Sequence, residues 1–503
     1  MSIKIIYLLI FSLCSFLFAT TDFENYWCGT INHNSRDFER FEYSFPQFID
    51  STHYRVHFTT SPADSFYWND SWMTHQSTIA YATTVLEQAE YSYSVYENNG
   101  WQMPPQDCDE SITDINNSYH CSNYGGNSLY DIYIGLVQGP AALVSPENPN
   151  TQLPYTGSLT SYILFANGLG VFGSYDDLAS FNYYIIAHEI HHSIQFAYGP
   201  NFTGTPQNPI HQGWIFEQTA TFMENFVYPN SIHLRLLLSN CSIVNPLTYP
   251  EIGIYQSYPG ALWQIFLENF FNDTNFIKHS WESYGTRITN GEEQVTFFDI
   301  FNDQIILISN ENFNLEDMYK EYAIWRYFTG DRAVSNQYFN QANLYCTSST
   351  IELPEDNIQL QSELGGNYYI EIPDDNILIN LQSENTNSIP AVLITTGPDT
   401  TFTDFDISMG NNILNIEDGQ HVLLLTSGYT NNDLSFENIN ISMDLYESII
   451  SGDLNQDGII NVVDIILVIN LIFENQYEAL SDLNNDGLLN IIDIVQLVNI
   501  ILY

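Results

Sequence analysis

"AHEIHHSIQF" (187–196) sets three histidines and a glutamate within five consecutive positions. His188, Glu189 and His192 satisfy the pattern H-E-x-x-H. On a helix, residues four apart share a face, so His188 and His192 aim two imidazoles at one point. Such a pair suits a zinc ion, and Glu189 beside it suits a base for the metal's water. His191 stands three residues from His188 and reads as a packing neighbour rather than a ligand. The preceding "FNYYII" is strongly apolar, so a buried helix is expected over 178–198.

A catalytic zinc takes three protein ligands and keeps one position open. A metzincin continuation fails here, because Gln195 and Tyr198 stand where its glycine and third histidine belong. His211 lies on a nearby loop without a supporting local pattern. Glu217, in "GWIFEQTATFMEN" (213–225), lies on a second expected helix over 214–227. Ala220 and Thr221 keep that helix slim enough to approach the first. Glu224 falls two turns beyond Glu217, placed to orient a ligating imidazole through its second nitrogen.

H-E-x-x-H followed by E-x-x-A on a second helix resembles the gluzincin arrangement. "HYRVHFTT", "NNGWQMPP", "YDIYIG", "HEIHHSIQFAYG" and "GWIFEQTATFMENFVYP" occur here in the order of a family of secreted bacterial metalloproteases known mainly from genome sequences. The resemblance spans roughly residues 50–270. It implies a zincin-like α+β domain with one catalytic zinc, His188, His192 and Glu217 as ligands and Glu189 as catalytic base. The chain departs from many gluzincins at Gln218, where they carry glycine. The implied chemistry is hydrolysis of a peptide bond by a zinc-bound water, Glu189 taking its proton and passing it to the leaving amine. Tyr255 and Tyr258 precede the next expected helix (259–272) and are candidates to stabilise the oxyanion, Tyr258 being the assigned one.

A second pattern closes the chain. "GDLNQDGIINVVDIILVINLIF" is followed by "SDLNNDGLLNIIDIVQLVNIIL", a duplicate of the form D-x-N-x-D-G-x-x-N-x-x-D. Oxygen donors at loop positions 1, 3, 5, 7, 9 and 12 with glycine at 6 make an EF-hand calcium loop. The first loop offers Asp453, Asn455, Asp457, the Ile459 carbonyl, Asn461 and Asp464; the second offers Asp482, Asn484, Asp486, the Leu488 carbonyl, Asn490 and Asp493. An apolar helix is expected after each loop and none before it. The module resembles a type I dockerin, which implies two structural calcium ions and a cohesin-like or other surface partner. Val462, Val463, Ile491 and Ile492 stand at loop positions 10 and 11, where cellulosomal dockerins often carry hydroxyl residues.

The composition narrows the remaining choices. Ten Lys and Arg face 60 Asp and Glu in 503 residues, a formal net charge of -50. Such a chain repels phosphate backbones and anionic lipid, which excludes nucleic acid and membrane surfaces as partners. The opening "MSIKIIYLLIFSLCSFLFATTDF" is built like a secretory signal peptide, and no later stretch is apolar for long enough to span a bilayer. Secretion, with an extracellular or cell-surface location, is therefore expected. Cys108 and Cys121 flank a polar loop suited to a local disulfide, while Cys28, Cys241 and Cys346 leave the count odd.

Between these patterns, "HYRVHFTT" (53–60), "LYDIYIGLV" (129–137) and "SYILFA" (161–166) read as strands. Residues 77–99 read as a helix with Ile79, Ala82, Leu86, Ala89, Tyr93 and Tyr96 on one face. From 350, "NYYIEI", "NILINLQ", "AVLITTG", "HVLLLTSG" and "NINISMDLY" read as the strands of a small sandwich with no catalytic pattern. The chain is thus read as multidomain. A signal peptide (1–19) precedes an α+β zincin-like metallopeptidase domain (20–349), an all-β sandwich (350–447) and an α-helical dockerin-like calcium-binding module (448–503). The expected function is a secreted zinc endopeptidase acting on protein or peptide substrates. The alternatives are a non-enzymatic surface or scaffold-docking protein that uses the zinc fold as scaffold, and hydrolysis of a non-peptide amide at the same site.

Overall fold

The computed structural model describes residues 45–502 except 63–64, 69–70, 118, 136–141, 150–152, 168–174, 200–212, 230–233, 235–237, 239–257, 294, 353–357, 362–366, 373–375, 383–387, 397–399, 417–419, 427–437, 446–450 and 456–458. The expected signal peptide, Cys28, His211, Cys241, Tyr255 and Asp457 lie outside the described residues. The chain divides into two compact units, the main break falling between Ser349 and Thr350.

The first unit is built on a five-stranded mixed sheet. Its strands are β1 (Gln47–Asp50), β2 (Tyr54–Phe58), β5 (Tyr130–Gly135), β6 (Ala142–Pro149) and β7 (Leu159–Ala166), in the order β1-β2-β5-β7-β6. The three central strands run parallel, and the edge strands β1 and β6 run antiparallel to their neighbours. A separate hairpin is formed by β3 (Ser65–Trp68) and β4 (Ser71–Thr74). Parallel neighbours require a crossover connection. Helix α1 (Ile79–Asn98) supplies the one between β2 and β5, and the Thr78 side chain caps its start by accepting from the Tyr81 amide. Its buried stripe is Tyr81, Ala82, Val85, Ala89, Ser92 and Tyr96. Of the residues expected on that face, Ile79 is exposed instead, because the buried stripe begins only at Tyr81.

Helix α2 (Tyr175–Ala197) carries the histidines and packs on β6, β7, α1 and α3 (Gly213–Val227). From Ile185 to Tyr198 it is buried all round, which needs other elements on every side. Two hydroxyls pin it in place. Tyr96 donates to the Ala187 carbonyl at 2.8 Å, and the Tyr130 hydroxyl lies 2.5 Å from Ser193 Oγ and 2.8 Å from Ser161 Oγ. Beyond α3 come α4 (Ala261–Phe271), α5 (Phe276–Thr289), α6 (Phe297–Ile308) and α7 (Leu315–Tyr327), around an aromatic core that includes Trp263, Phe266, Trp281 and Phe297. Cys108 and Cys121 form the expected disulfide, and Cys346 is disulfide-bonded as well.

Two further sheets, most of whose residues fall in the second unit, are formed by β8 (Ile351–Glu352), β9 (Ile358–Gln361), β10 (Asn367–Ile372), β11 (Ile377–Gln382), β12 (Ser388–Thr396), β13 (Thr401–Ser408), β14 (Gly410–Leu414), β15 (Gln420–Thr426) and β16 (Asn438–Leu445). Their orders are β13-β12-β15-β10-β8 and β14-β11-β16-β9. The five runs expected as strands are β10, β11, β12, β15 and β16. The second unit also holds α8 (Val462–Glu474) and α9 (Ile491–Leu502), the helices expected after the repeated loops.

The end of α2 depends on Gly199, whose φ of +73° only glycine adopts without strain. A Cβ there would strike the Thr156 carbonyl, and Ser158, two residues on, donates to the Ala197 carbonyl at 2.7 Å. Gly199→Ala is expected to destabilise the first unit by about 1–3 kcal/mol, read as an earlier denaturant midpoint. An unchanged midpoint would show that this closure does not hold the helix end.

Candidate metal centre

Helices α2 and α3 lie side by side, and their facing polar residues meet in the core. His188 Nε2 is 3.0 Å from His192 Nε2 and 3.2 Å from Glu217 Oε2, and His192 Nε2 is 3.7 Å from that same oxygen. One donor atom from each of the three lies within 4.8 Å of the others, and all three residues are buried. Among the described residues this is the one such grouping of histidine, cysteine and carboxylate side chains. Glu217 Oε1 and Glu189 Oε2 are buried and have no hydrogen-bond partner among the described residues. Buried polar atoms are normally satisfied. Two orphaned carboxylate oxygens beside two facing imidazole nitrogens therefore fit a cation, and a two-histidine, one-carboxylate set fits zinc.

The rear nitrogens of both imidazoles are held. His188 Nδ1 lies 2.8 Å from Glu224 Oε1, the partner its spacing on α3 suggests. His192 Nδ1 lies 2.7 Å from Gln195 Oε1. Sequence reasoning met Gln195 only as the residue that breaks a metzincin pattern. Its spacing of three from His192 was the signal available. His191 turns away from the cluster. Its ring packs edge-on against Trp101 (centroids 4.8 Å apart) and near Tyr96, and neither nitrogen has a hydrogen-bond partner among the described residues.

Tyr258 opens the short turn before α4, its ring 5.8 Å from that of His188. Gly260 closes this turn, and a Cβ on it would collide with the buried Gln218 side chain. Gln218 is thus accommodated by a glycine in the turn before α4.

Burial and charge oppose one another throughout the cluster. Burial disfavours a charged His188, but hydrogen bonds that its ring donates to the Glu217 and Glu224 carboxylates outweigh it and raise the imidazole to about 10. Burial likewise opposes charge on His192, and Glu217 raises it to about 9. For Glu217 the order reverses: burial works against ionisation, yet the two imidazoles hold the carboxyl well below its usual range. Burial pushes Glu189 up to about 7, partly offset by the imidazoles. Burial keeps His191 neutral, well below an ordinary histidine.

In the C-terminal module the two loops repeat one hydrogen-bonding scheme. Asp464 Oδ1 accepts from the amides of Leu454 and Asn455, and Oδ2 from that of Asn461. Asp493 does the same with Leu483, Asn484 and Asn490. The position-12 aspartate thus folds each loop back over the start of its helix, and Asn461 completes a capping box with Asp464. Asp453, Asp464, Asp482 and Asp493 are buried although acidic, while Asn455 and Asp486 are exposed. Asp482 takes amides from Asp486 and Gly487, and Gly487 has the positive φ (79°) that the turn position requires.

Residues 451–502 match the family model for the dockerin type I domain. Dockerin domains bind calcium and cohesins and are typical of extracellular proteins. The chain therefore carries a calcium-dependent docking module at this end. No curated protein matches the chain. Among the described residues, no helix is long and apolar enough to cross a membrane.

The candidate metal site has a proton signature. Glu217 and Glu224 raise both imidazoles, so the metal-free site holds protons near neutral pH, although the 3.0 Å between the facing Nε2 atoms leaves room for only one between them. A metal ion must displace those protons. Metal uptake is expected to release protons near neutral pH and to weaken steadily on acidification. Calorimetry in two buffers of different ionisation enthalpy checks this; equal heats would contradict it.

Proposed function

We propose that this chain is a secreted zinc-dependent endopeptidase of the gluzincin type, tethered through its C-terminal dockerin domain. The observation that carries the reading is the convergence of His188, His192 and Glu217 in the core, with Glu189 beside them and Glu224 behind. His188, His192 and Glu217 would hold the ion. When bound, zinc supplies Lewis acidity, polarising a carbonyl and lowering the pKa of water.

The chain's own residues supply the rest. Glu189 is buried and raised to about 7, so it can take up and give back a proton near neutral pH. It accepts the proton of the attacking water and hands it to the leaving amine. Tyr258, next to His188, donates a hydrogen bond to the developing oxyanion. Glu224 keeps the His188 ring in register, and its role is orientation.

A non-enzymatic scaffold would lose nothing by losing this base, and Glu189 is present. Glu189→Gln is therefore the deciding variant. It is expected to keep its zinc and to cleave a denatured protein about 10²–10⁴-fold more slowly. Zinc-free wild type, or equal cleavage by both proteins, would sink the endopeptidase reading.

The dockerin loops are expected to take two calcium ions per chain. Asp493→Ala should remove one of them and leave the other, as counted by calorimetry on the full chain. Retention of both by the variant would rule Asp493 out as a ligand.

A further inference from the structure

We propose that Gln195 is a positioning residue that fixes the tautomer of His192 and so turns its Nε2 lone pair toward the metal position. The proposal rests on the zinc-site reading above. Gln195 is fully buried and uses both ends of its amide. One end lies 3.1 Å from the carbonyl oxygen of Phe216, the other 2.7 Å from His192 Nδ1.

A backbone carbonyl can only accept a hydrogen bond. The group facing Phe216 must therefore be the amide nitrogen, which turns the amide oxygen toward His192. An amide oxygen also only accepts, so Nδ1 of His192 must carry a hydrogen. A neutral imidazole has one N–H. Its lone pair is then on Nε2, the atom 3.0 Å from His188 Nε2 and 3.7 Å from Glu217 Oε2.

The orientation of one ligand is thus dictated by the backbone of the helix that supplies another. Phe216 immediately precedes Glu217 on α3, so the amide also ties the spacing of His192 to that of Glu217. His188 is served differently, by the carboxylate of Glu224. With Gln195 and His192 fully buried, no solvent stands ready to replace the amide.

Gln195→Leu removes both hydrogen bonds. Gln195→Glu keeps an acceptor for Nδ1–H but loses the donor to Phe216. Zinc affinity is measured by competition with a chelator, and unfolding of the metal-free proteins is followed in parallel. The expected result is about 10- to 100-fold weaker zinc for Q195L and recovery to within a few-fold of wild type for Q195E, although both lose the tie to α3. In zinc-loaded wild type labelled with ¹⁵N-histidine, His192 should be protonated at Nδ1, a readout that stands even if Q195L does not fold.

Wild-type affinity in Q195L, or equal weakness in Q195L and Q195E, would each overturn the proposal while leaving the zinc site intact; an Nε2–H tautomer of His192 would overturn the proposal and His192 as a ligand together. A wild type that binds no zinc would overturn the zinc-site reading and this proposal together.

Discussion

The close approach of two buried helices is the constraint on which the first unit turns. α2 and α3 bring three glutamates and two facing imidazoles into a core otherwise built of Ile, Phe, Trp and Tyr. Charge in such a place is costly unless each group meets an opposite charge or a metal. The helices can only pack with the cluster in register, because a misplaced turn would leave a carboxylate buried alone. Pairing accounts for the opposed behaviour of neighbours: Glu217, between two imidazoles, is held ionised, while Glu189, mostly desolvated, is pushed up to about 7. Two carboxylates of one cluster thereby differ in charge behaviour, one held ionised and one pushed toward its neutral form.

Around this pair the scaffold is rigid where the site needs it. Hydroxyls of Tyr96 and Tyr130 fix α2 against α1 and the sheet, and Gly199 lets the chain leave the helix against Thr156. The dockerin module solves its problem by other means. Its two helices bury few side chains, among them Val468 and Leu497, and leave Val462, Phe473, Ile491 and Leu502 exposed. So small a core contributes little by itself. Its loops are ordered by aspartates that draw in backbone amides, and calcium binding adds folding free energy to such a module. The exposed apolar residues are what a docking surface presents to a partner.

Much of this was legible in the chain. The apolar alternation of "HYRVHFTT" and "SYILFA", the helical spacing before His188 and the duplicated calcium loop each follow from local periodicity, and local periodicity is a property of sequence alone. Less legible were β1, β6, β13 and β14. These lie at sheet edges, and β13 is exposed along most of its length, so no apolar alternation marks it. The hairpin β3–β4 is likewise unmarked by any alternation in the sequence. The helical spacing on α1 includes Ile79, which is exposed, because what covers a helix end is decided by tertiary packing.

At the metal centre the division is the same. Sequence determined the donor types and their helical spacing: His188 and His192 one turn apart, Glu189 beside them, and Glu217 with Glu224 two turns on. Those are consequences of a fixed rise and twist per residue. Only the tertiary structure decided that the two helices meet face to face, that His191 points into an aromatic pocket, and that the Phe216 carbonyl and Gln195 set the ring of His192. Contacts between helices depend on what fills the space between them, and no spacing along one chain segment encodes that.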